Sequence, residues 1–346
     1  MSISCHRIYT IGTSNRTLEE FKELLKYYGI SVIIDVRRFP RSRFSHFTRE
    51  GMEALLKDTE YIWLGDLLGG YRGGYEAYME TEGFSEGIER IENISRKCQV
   101  ALVCSERLPW RCHRRFIGRV LSERGWMVLH IVQKEKTWTS PDEKVGYVVH
   151  ILSKRYKTED TKRDPFYVLI TTLLSQRTKD EVTDLAAKRL FERFRDPKEL
   201  ASADIEEIED TIKPVGFYKQ KARRIKEVAE ILKDKGVPED IDGLLKLPGV
   251  GRKTANCVLV YGFRKSAIPV DTHVHRICNR LKIVKTESTK ETEDALRRNI
   301  PERYWLNLNK LLVSFGKDIC RPINPRCTEC PIFDMCKNMI LEWTKR

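Results

Sequence analysis

Cys320, Cys327, Cys330 and Cys336 follow one another as Cys-x6-Cys-x2-Cys-x5-Cys within seventeen residues. Four thiolates so close can enclose a zinc ion or an iron–sulfur cluster, and ligand rules alone do not separate the two. Upstream lies Leu247-Pro248-Gly249-Val250-Gly251-Arg252-Lys253-Thr254, between a short predicted helix at Ile241–Leu245 and a second helix beginning near Arg252. Glycines at alternate positions let backbone N–H groups approach a partner, and a helix N-terminus favours an anion. The pattern is that of a helix–hairpin–helix, which grips one DNA strand by its phosphates. A nucleotide-binding P-loop is excluded, because it needs Gly directly before the Lys and a strand ahead of it. Here Arg252 occupies that place and a helix precedes it. A further motif, Ile268-Pro269-Val270-Asp271-Thr272-His273, places Asp271 just before a predicted helix, where alone it would read as an N-cap.

The order and spacing of these three elements resemble endonuclease III, within the helix–hairpin–helix DNA glycosylase superfamily, over roughly residues 141–346. The resemblance implies a bifunctional DNA glycosylase and abasic-site lyase on double-stranded DNA, with oxidised pyrimidines as expected lesions. The alternatives are a monofunctional mismatch or deaminated-base glycosylase, or a DNA-binding module without chemistry. In the family, the residue matching Lys253 is the nucleophile and that matching Asp271 the catalytic carboxylate, while the four-cysteine tail holds a [4Fe–4S] cluster. Attack on the sugar C1′ needs a neutral amine, and a Lys in the first turn of a helix sits at the positive dipole end. The resemblance places the DNA wedge at Gln176–Arg177 and Phe217. An amide is frequent where Arg177 stands, and an aliphatic residue where Phe217 stands. Leu247, Gly249, Gly251, Arg252 and His273 join the expected DNA-binding set. Arg321 and Arg326, inside the first cysteine loop, are expected to face phosphates.

Three further pieces lie earlier: Asp35-Val36-Arg37-Arg38-Phe39-Pro40-Arg41-Ser42, Cys104-Ser105-Glu106 and Cys112-His113-Arg114. The first two fall at the carboxyl ends of predicted strands, where open α/β sheets place their sites. The third is expected in the first turn of a helix opening at Pro109. These pieces resemble a prokaryotic domain family of unknown function, matched at Asp35, Arg37, Pro40, Ser42, Cys104, Glu106, Cys112, His113 and Arg114. A phosphatase-type Cys104 would need Arg six positions on, where Trp110 stands. The residues suit a nucleotide or nucleic-acid phosphate site. A zinc site at Cys104, Cys112 and His113, lacking a fourth ligand other than water, and a buried Cys104 beside arginines packed on carboxylates remain open.

The elements that would position these groups divide the chain in two. Apolar runs at 8–12, 32–36, 100–104 and 127–132 read as strands of a buried parallel sheet. Thr17-Leu18-Glu19-Glu20 is a capping box ahead of a helix stopped by Gly29. The polar stretch 133–142 marks the boundary, so an α/β domain is expected over 1–135 and an all-α domain over 141–346, with helices near 167–176, 179–194, 219–232, 254–261 and 272–281. The charge of +13 is weighted towards the second part: 22 basic against 18 acidic residues up to Ser140, 41 against 32 beyond. A basic balance suits a polyanion. Ten cysteines in a Lys- and Glu-rich chain do not suit a secreted disulfide scaffold. No apolar stretch is long enough to span a bilayer, and a cytoplasmic monomer without membrane partners is expected.

Overall fold

The computed structural model describes residues 7–56, 58–70, 74–157 and 162–336. It separates into two compact units, one running to Arg155 and including the segment from Cys327, the other Tyr156–Arg326.

The first unit is a six-stranded sheet in the order β3-β2-β4-β1-β5-β6, with β1 Arg7–Gly12, β2 Val32–Asp35, β3 Glu60–Trp63, β4 Val100–Cys104, β5 Met127–Gln133 and β6 Lys136–Trp138. The β5–β6 pair is antiparallel and the other pairings are parallel. Strands β2 and β4 are buried at every position, as β-branched runs covered on both faces should be. The four expected strands are present. Two others, β3 and β6, carry no full apolar run: β3 is half-exposed at the sheet edge, and β6 has only three residues. The Thr17 hydroxyl accepts the Glu20 N–H at 3.1 Å, and Gly29 ends the turn at φ 64°. Both the cap and the stop of this first helix are therefore local features.

The units divide after Arg155, later than the polar stretch 133–142 suggests. The helix Pro141–Arg155 packs on the helix Arg114–Glu123, and its Glu143 is buried. Glu143 accepts from Ser140 N at 2.8 Å in a capping box and pairs with buried His130 at 2.9 Å. That pair anchors the helix to β5.

The second unit contains only helices among the described residues. The expected helices appear as Pro165–Ser175, Asp180–Arg193, Tyr218–Leu232, Arg252–Cys257 and Thr272–Arg280, and the short Ile241–Leu245 helix is present. After Cys257 the chain continues as a π turn, Val258–Gly262. Such turns widen a helix locally and recur at functional sites. Helices Pro197–Ser202, Ile205–Ile212, Thr289–Asn299 and Trp305–Asp318 are the remaining α-helices of the described unit, whose core includes Leu169, Leu173, Leu200, Ile225 and Val258.

Candidate active site

The hairpin turn between helices Ile241–Leu245 and Arg252–Cys257 places Gly249 at φ 74°, left-handed backbone where a side chain is strained. A Cβ on Gly249 would also collide with the Arg224 side chain. Gly251 differs: a Cβ there would meet nothing within 4 Å, and the residue is exposed. The chain's own packing does not require this glycine, which leaves its backbone open to an outside partner. Leu247 is buried beneath the turn. Arg252 is committed internally, its Nη2 and Nε donating to Glu293 at 2.6 and 3.1 Å.

Lys253 is half-buried on the second residue of its helix. One turn on, the fully buried Cys257 thiol receives a hydrogen bond from Lys253 and feels the Asp271 carboxylate. Burial pushes that thiol's pKa up, Lys253 pulls it down, and Asp271 raises it again. Lys253 and Asp271 therefore both act on one buried sulfur. Asp271 is the N-cap of the helix Thr272–Arg280, its Oδ1 accepting the N–H groups of His273 and Val274, both at 2.9 Å. The N-cap and catalytic readings of Asp271 are thus compatible: two backbone donors hold the carboxylate in one orientation. Half-buried Tyr261, on the π turn, lies in the field of Cys257 and Asp271, and its hydroxyl donates to Asn309 at 2.9 Å. A cavity of about 200 Å³ opens beside it, lined by Arg163, Tyr167, Thr171, Thr172 and Lys310. His273 is held below its ordinary pKa, chiefly by burial, and Gly316 is bare where the His273 ring packs.

The residues expected to wedge DNA come together. The Arg177 guanidinium lies 6.0 Å from the Phe217 ring centroid, both residues take left-handed backbone at φ 54° and 58°, and Phe217 is 62% exposed. Gln176 Nε2 donates to the hairpin carbonyl of Gly249 at 3.2 Å. What joins the two wedge segments is Lys221, absent from the expected set. Lys221 is 4% exposed, and its ammonium donates to Leu174 O and Gln176 O at 2.6 Å each and to Thr178 Oγ1 at 2.9 Å. Burial and Arg224 press its pKa down to about 8. The three acceptors counter that by stabilising the charged form. In the sequence Lys221 stands among the basic residues of Tyr218–Leu232, and nothing local marks it as buried. Cys257 was visible in principle, four residues after Lys253 on one helix face.

Around the cysteine tail, all four thiols are half-buried and free of disulfides. Arg280 Nη1 donates to Cys320 Sγ at 3.3 Å and Arg276 Nη2 to Cys320 O at 2.9 Å. Arg326 pairs with Asp318 at 3.2 Å, and Arg321 Nε folds onto the carbonyls of Lys317 and Asp318.

In the α/β unit the arginines turn inward. Arg37 forms a fork on buried Asp35, with Nη2 to Oδ2 at 2.5 Å, and also donates to Phe47 O at 2.8 Å. The buried Arg114 donates to Cys112 Sγ at 3.4 Å, to Thr10 Oγ1 at 3.1 Å and to Glu106 O. Neither guanidinium points outward as a phosphate site requires. Ser42 accepts the Phe44 N–H, and the Glu106 side chain is exposed. Pro109 opens a single 3-10 turn, and the α-helix begins only at Arg114. Cys112 is extended at φ −131°, with its sulfur accepting the Arg114 N–H at 3.5 Å. The Cys112-His113-Arg114 motif therefore precedes the helix more than it occupies its first turn. Cys104, Cys112 and His113 converge, their donor atoms lying within 4.8 Å of one another. The Cys112 thiol is held down, first by the Cys104 thiol donating to it and then by His113 and Arg114; Cys104 is pushed up by that same bond and by burial.

The family model for the HhH-GPD superfamily of base excision DNA repair proteins matches residues 170–302. Endonuclease III of Thermotoga maritima is 53% identical over 187 residues, covering 53% of this chain and 88% of the relative. The chain belongs to the endonuclease III family. As a member of that family it is a base-excision-repair DNA glycosylase/lyase, and its macromolecular partner is DNA. Endonuclease III of Bacillus subtilis is 38% identical, covering 50% of this chain and 81% of the relative. The solved structure of a trapped endonuclease III–DNA covalent intermediate aligns with TM-score 0.54 at 35% identity, over 60% of this chain and all of that one. A thermostable thymine-DNA glycosylase aligns with TM-score 0.52 at 26% identity, over 58% of this chain and 98% of that one. The α/β unit matches the domain of unknown function DUF488 over residues 17–74 and 70–121. No described helix is long and apolar enough to cross a membrane.

Proposed function

We propose that Lys253 is the nucleophile and Asp271 the catalytic carboxylate of this endonuclease III family member, that oxidised pyrimidines in duplex DNA are the bases it removes, and that this chemistry resides in the helical unit, Tyr156–Arg326. The single observation that carries the residue assignment is that both act on one buried group: the Cys257 thiol interacts with Lys253 and with the Asp271 carboxylate.

The chemistry follows from these groups. The neutral Lys253 amine attacks C1′ of a nucleotide turned out of the stack, the N-glycosidic bond breaks, and the base leaves with a proton. Asp271, its Oδ1 pinned by two N–H groups, sets its carboxylate against the positive charge that develops on the sugar. The C1′–O4′ bond of the resulting aminal then opens as O4′ takes up a proton, and the protonated Schiff base left between Nζ and C1′ makes the C2′ proton acidic, so that its removal expels the 3′ phosphate. Water then releases the amine. The pair Arg177–Phe217, held by Lys221, suits the gap left in the stack, since an exposed aromatic with a cation beside it can replace base stacking. Bare Gly251 suits close approach of a phosphate to the hairpin. The cavity beside Tyr261 offers hydrogen-bonding groups of the kind that read the edge of a polar pyrimidine lesion.

Cys320, Cys327, Cys330 and Cys336 suit a [4Fe–4S] cluster: four half-buried thiols that form no disulfide, one of them already accepting from Arg280. When bound, the cluster supplies a covalent tie for the tail and holds the Arg321–Arg326 stretch in shape. Its role here is structural.

Borohydride trapping during turnover on a thymine glycol duplex tests the reading. A reducible Schiff base yields a covalent protein–DNA adduct, and Lys253→Gln abolishes both adduct and strand cutting while binding to an abasic analogue persists. Undiminished cutting by Lys253→Gln would move the nucleophile elsewhere. Faster excision from a G·T mismatch than from thymine glycol would replace the lesion assignment with that of a mismatch glycosylase.

A further inference from the structure

The convergence of Cys104, Cys112 and His113 in the α/β unit has a geometry that dedicated packing does not require. We propose that these three residues hold one zinc(II) ion, with water in the fourth position. His113 Nδ1 lies 3.9 Å from Cys104 Sγ and 3.8 Å from Cys112 Sγ. Tetrahedral zinc, with Zn–S of about 2.3 Å and Zn–N of about 2.0–2.1 Å, sets that sulfur–nitrogen separation at about 3.6 Å. Both sulfur–nitrogen separations are already within a few tenths of an ångström of that value, and all three donor atoms lie within 4.8 Å of one another.

The imidazole is also in the right tautomer. His113 Nε2 lies 2.9 Å from Val36 O. A carbonyl can only accept, so Nε2 carries the hydrogen and the Nδ1 lone pair faces the two sulfurs. A ring N–H on a backbone carbonyl is the usual outer support of a zinc-bound histidine. The Arg114 N–H and Nε both donate to Cys112 Sγ, which tempers charge on a ligating thiolate. Both cysteines are 6% exposed, so bulk water does not compete for the sulfurs. Towards the ring the wall is glycine: a Cβ on Gly70 would point at Nδ1 from 3.8 Å, and no side chain from that position closes the site. The fourth coordination site then falls to water, as in zinc centres that keep an open position. Charge balances, since two thiolates neutralise the ion and any proton still on the sulfurs is released on binding. The site lies at the carboxyl end of β4, beside the carbonyl that follows β2, where open parallel sheets carry their chemistry.

The test uses the full-length chain, stripped with chelator and reloaded anaerobically with zinc chloride. Zinc-edge X-ray absorption on the wild type is expected to give a mixed shell of two sulfurs near 2.3 Å and two nitrogen or oxygen ligands near 2.0–2.1 Å. Cys112→Ser and His113→Gln should each weaken zinc binding by about two orders of magnitude or more, with iron content unchanged. The wild-type spectrum needs no variant to fold. A four-sulfur shell would place the zinc in the tail and overturn the proposal. So would absence of zinc uptake, unchanged affinity in both variants, or a Cys104–Cys112 disulfide in acid-quenched cells.

Discussion

Replacing Asp271 by Asn separates the carboxylate's capping role from the catalytic role proposed for it. Its Oδ1 caps the helix Thr272–Arg280 through the N–H groups of His273 and Val274. Asn ranks with Asp as an N-cap and keeps that oxygen, so the helix should lose only the charge–dipole part, about 0.3–1 kcal/mol. The transition state loses far more. Unit charges about 4 Å apart attract by about 4 kcal/mol at an effective dielectric of 20. Partial charge development and the half-buried position of Asp271 bring this to about 2–4 kcal/mol, in line with the loss of one preorganised electrostatic group. Single-turnover base release from a thymine glycol duplex should therefore fall by about two to three orders of magnitude. Affinity for an abasic analogue and the melting temperature should change little. Asp271→Ala serves as the contrast: it removes the cap as well and should cost about 1 kcal/mol or more in stability. Excision by Asp271→Asn within about threefold of wild type would refute the electrostatic role; a stability loss in Asn as large as in Ala would refute the separation of cap from catalysis.

Lys221→Met leaves Leu174 O, Gln176 O and Thr178 Oγ1 without their shared donor, so it should cost about 3 kcal/mol by urea unfolding and weaken discrimination between lesion and intact duplex. His273 has a folded pKa below its unfolded value of about 6.5, chiefly from burial. The unfolded chain then takes up the proton first, and stability contributed by neutral His273 is present above pH 6.5 and lost as pH falls towards the folded value. His273→Gln should flatten that part of a stability–pH curve measured by urea midpoint, and an unchanged slope would contradict the assignment. Cys330→Ser should lose iron and destabilise the tail, read by metal analysis and limited proteolysis; full iron content in the variant would exclude Cys330 as a ligand.

Features whose cause lies within a few residues were legible in the sequence. The cysteine spacing, the hairpin glycines, the capping box at Thr17 and the fully buried strands all depend on short-range geometry or on a periodicity that survives in one dimension. Asp271 was legible as a cap because it stands immediately before a helix, and as a candidate carboxylate only through the resemblance to endonuclease III. Tertiary structure decided what depends on distant partners. Lys221 reads as one more solvated cation in a basic helix until the fold brings Leu174, Gln176 and Thr178 around its ammonium. Arg37 and Arg114 read as phosphate ligands until the fold buries them on Asp35 and on Cys112, Thr10 and Glu106. The boundary moved from the polar stretch 133–142 to Arg155 because Glu143 reaches back to His130, a pairing that no local pattern encodes. Strands β3 and β6 exist through their ladder partners, since edge strands need pairing more than an apolar run. Propensity, caps and ligand spacing are properties of the chain, whereas the burial of a charge depends on what packs over it.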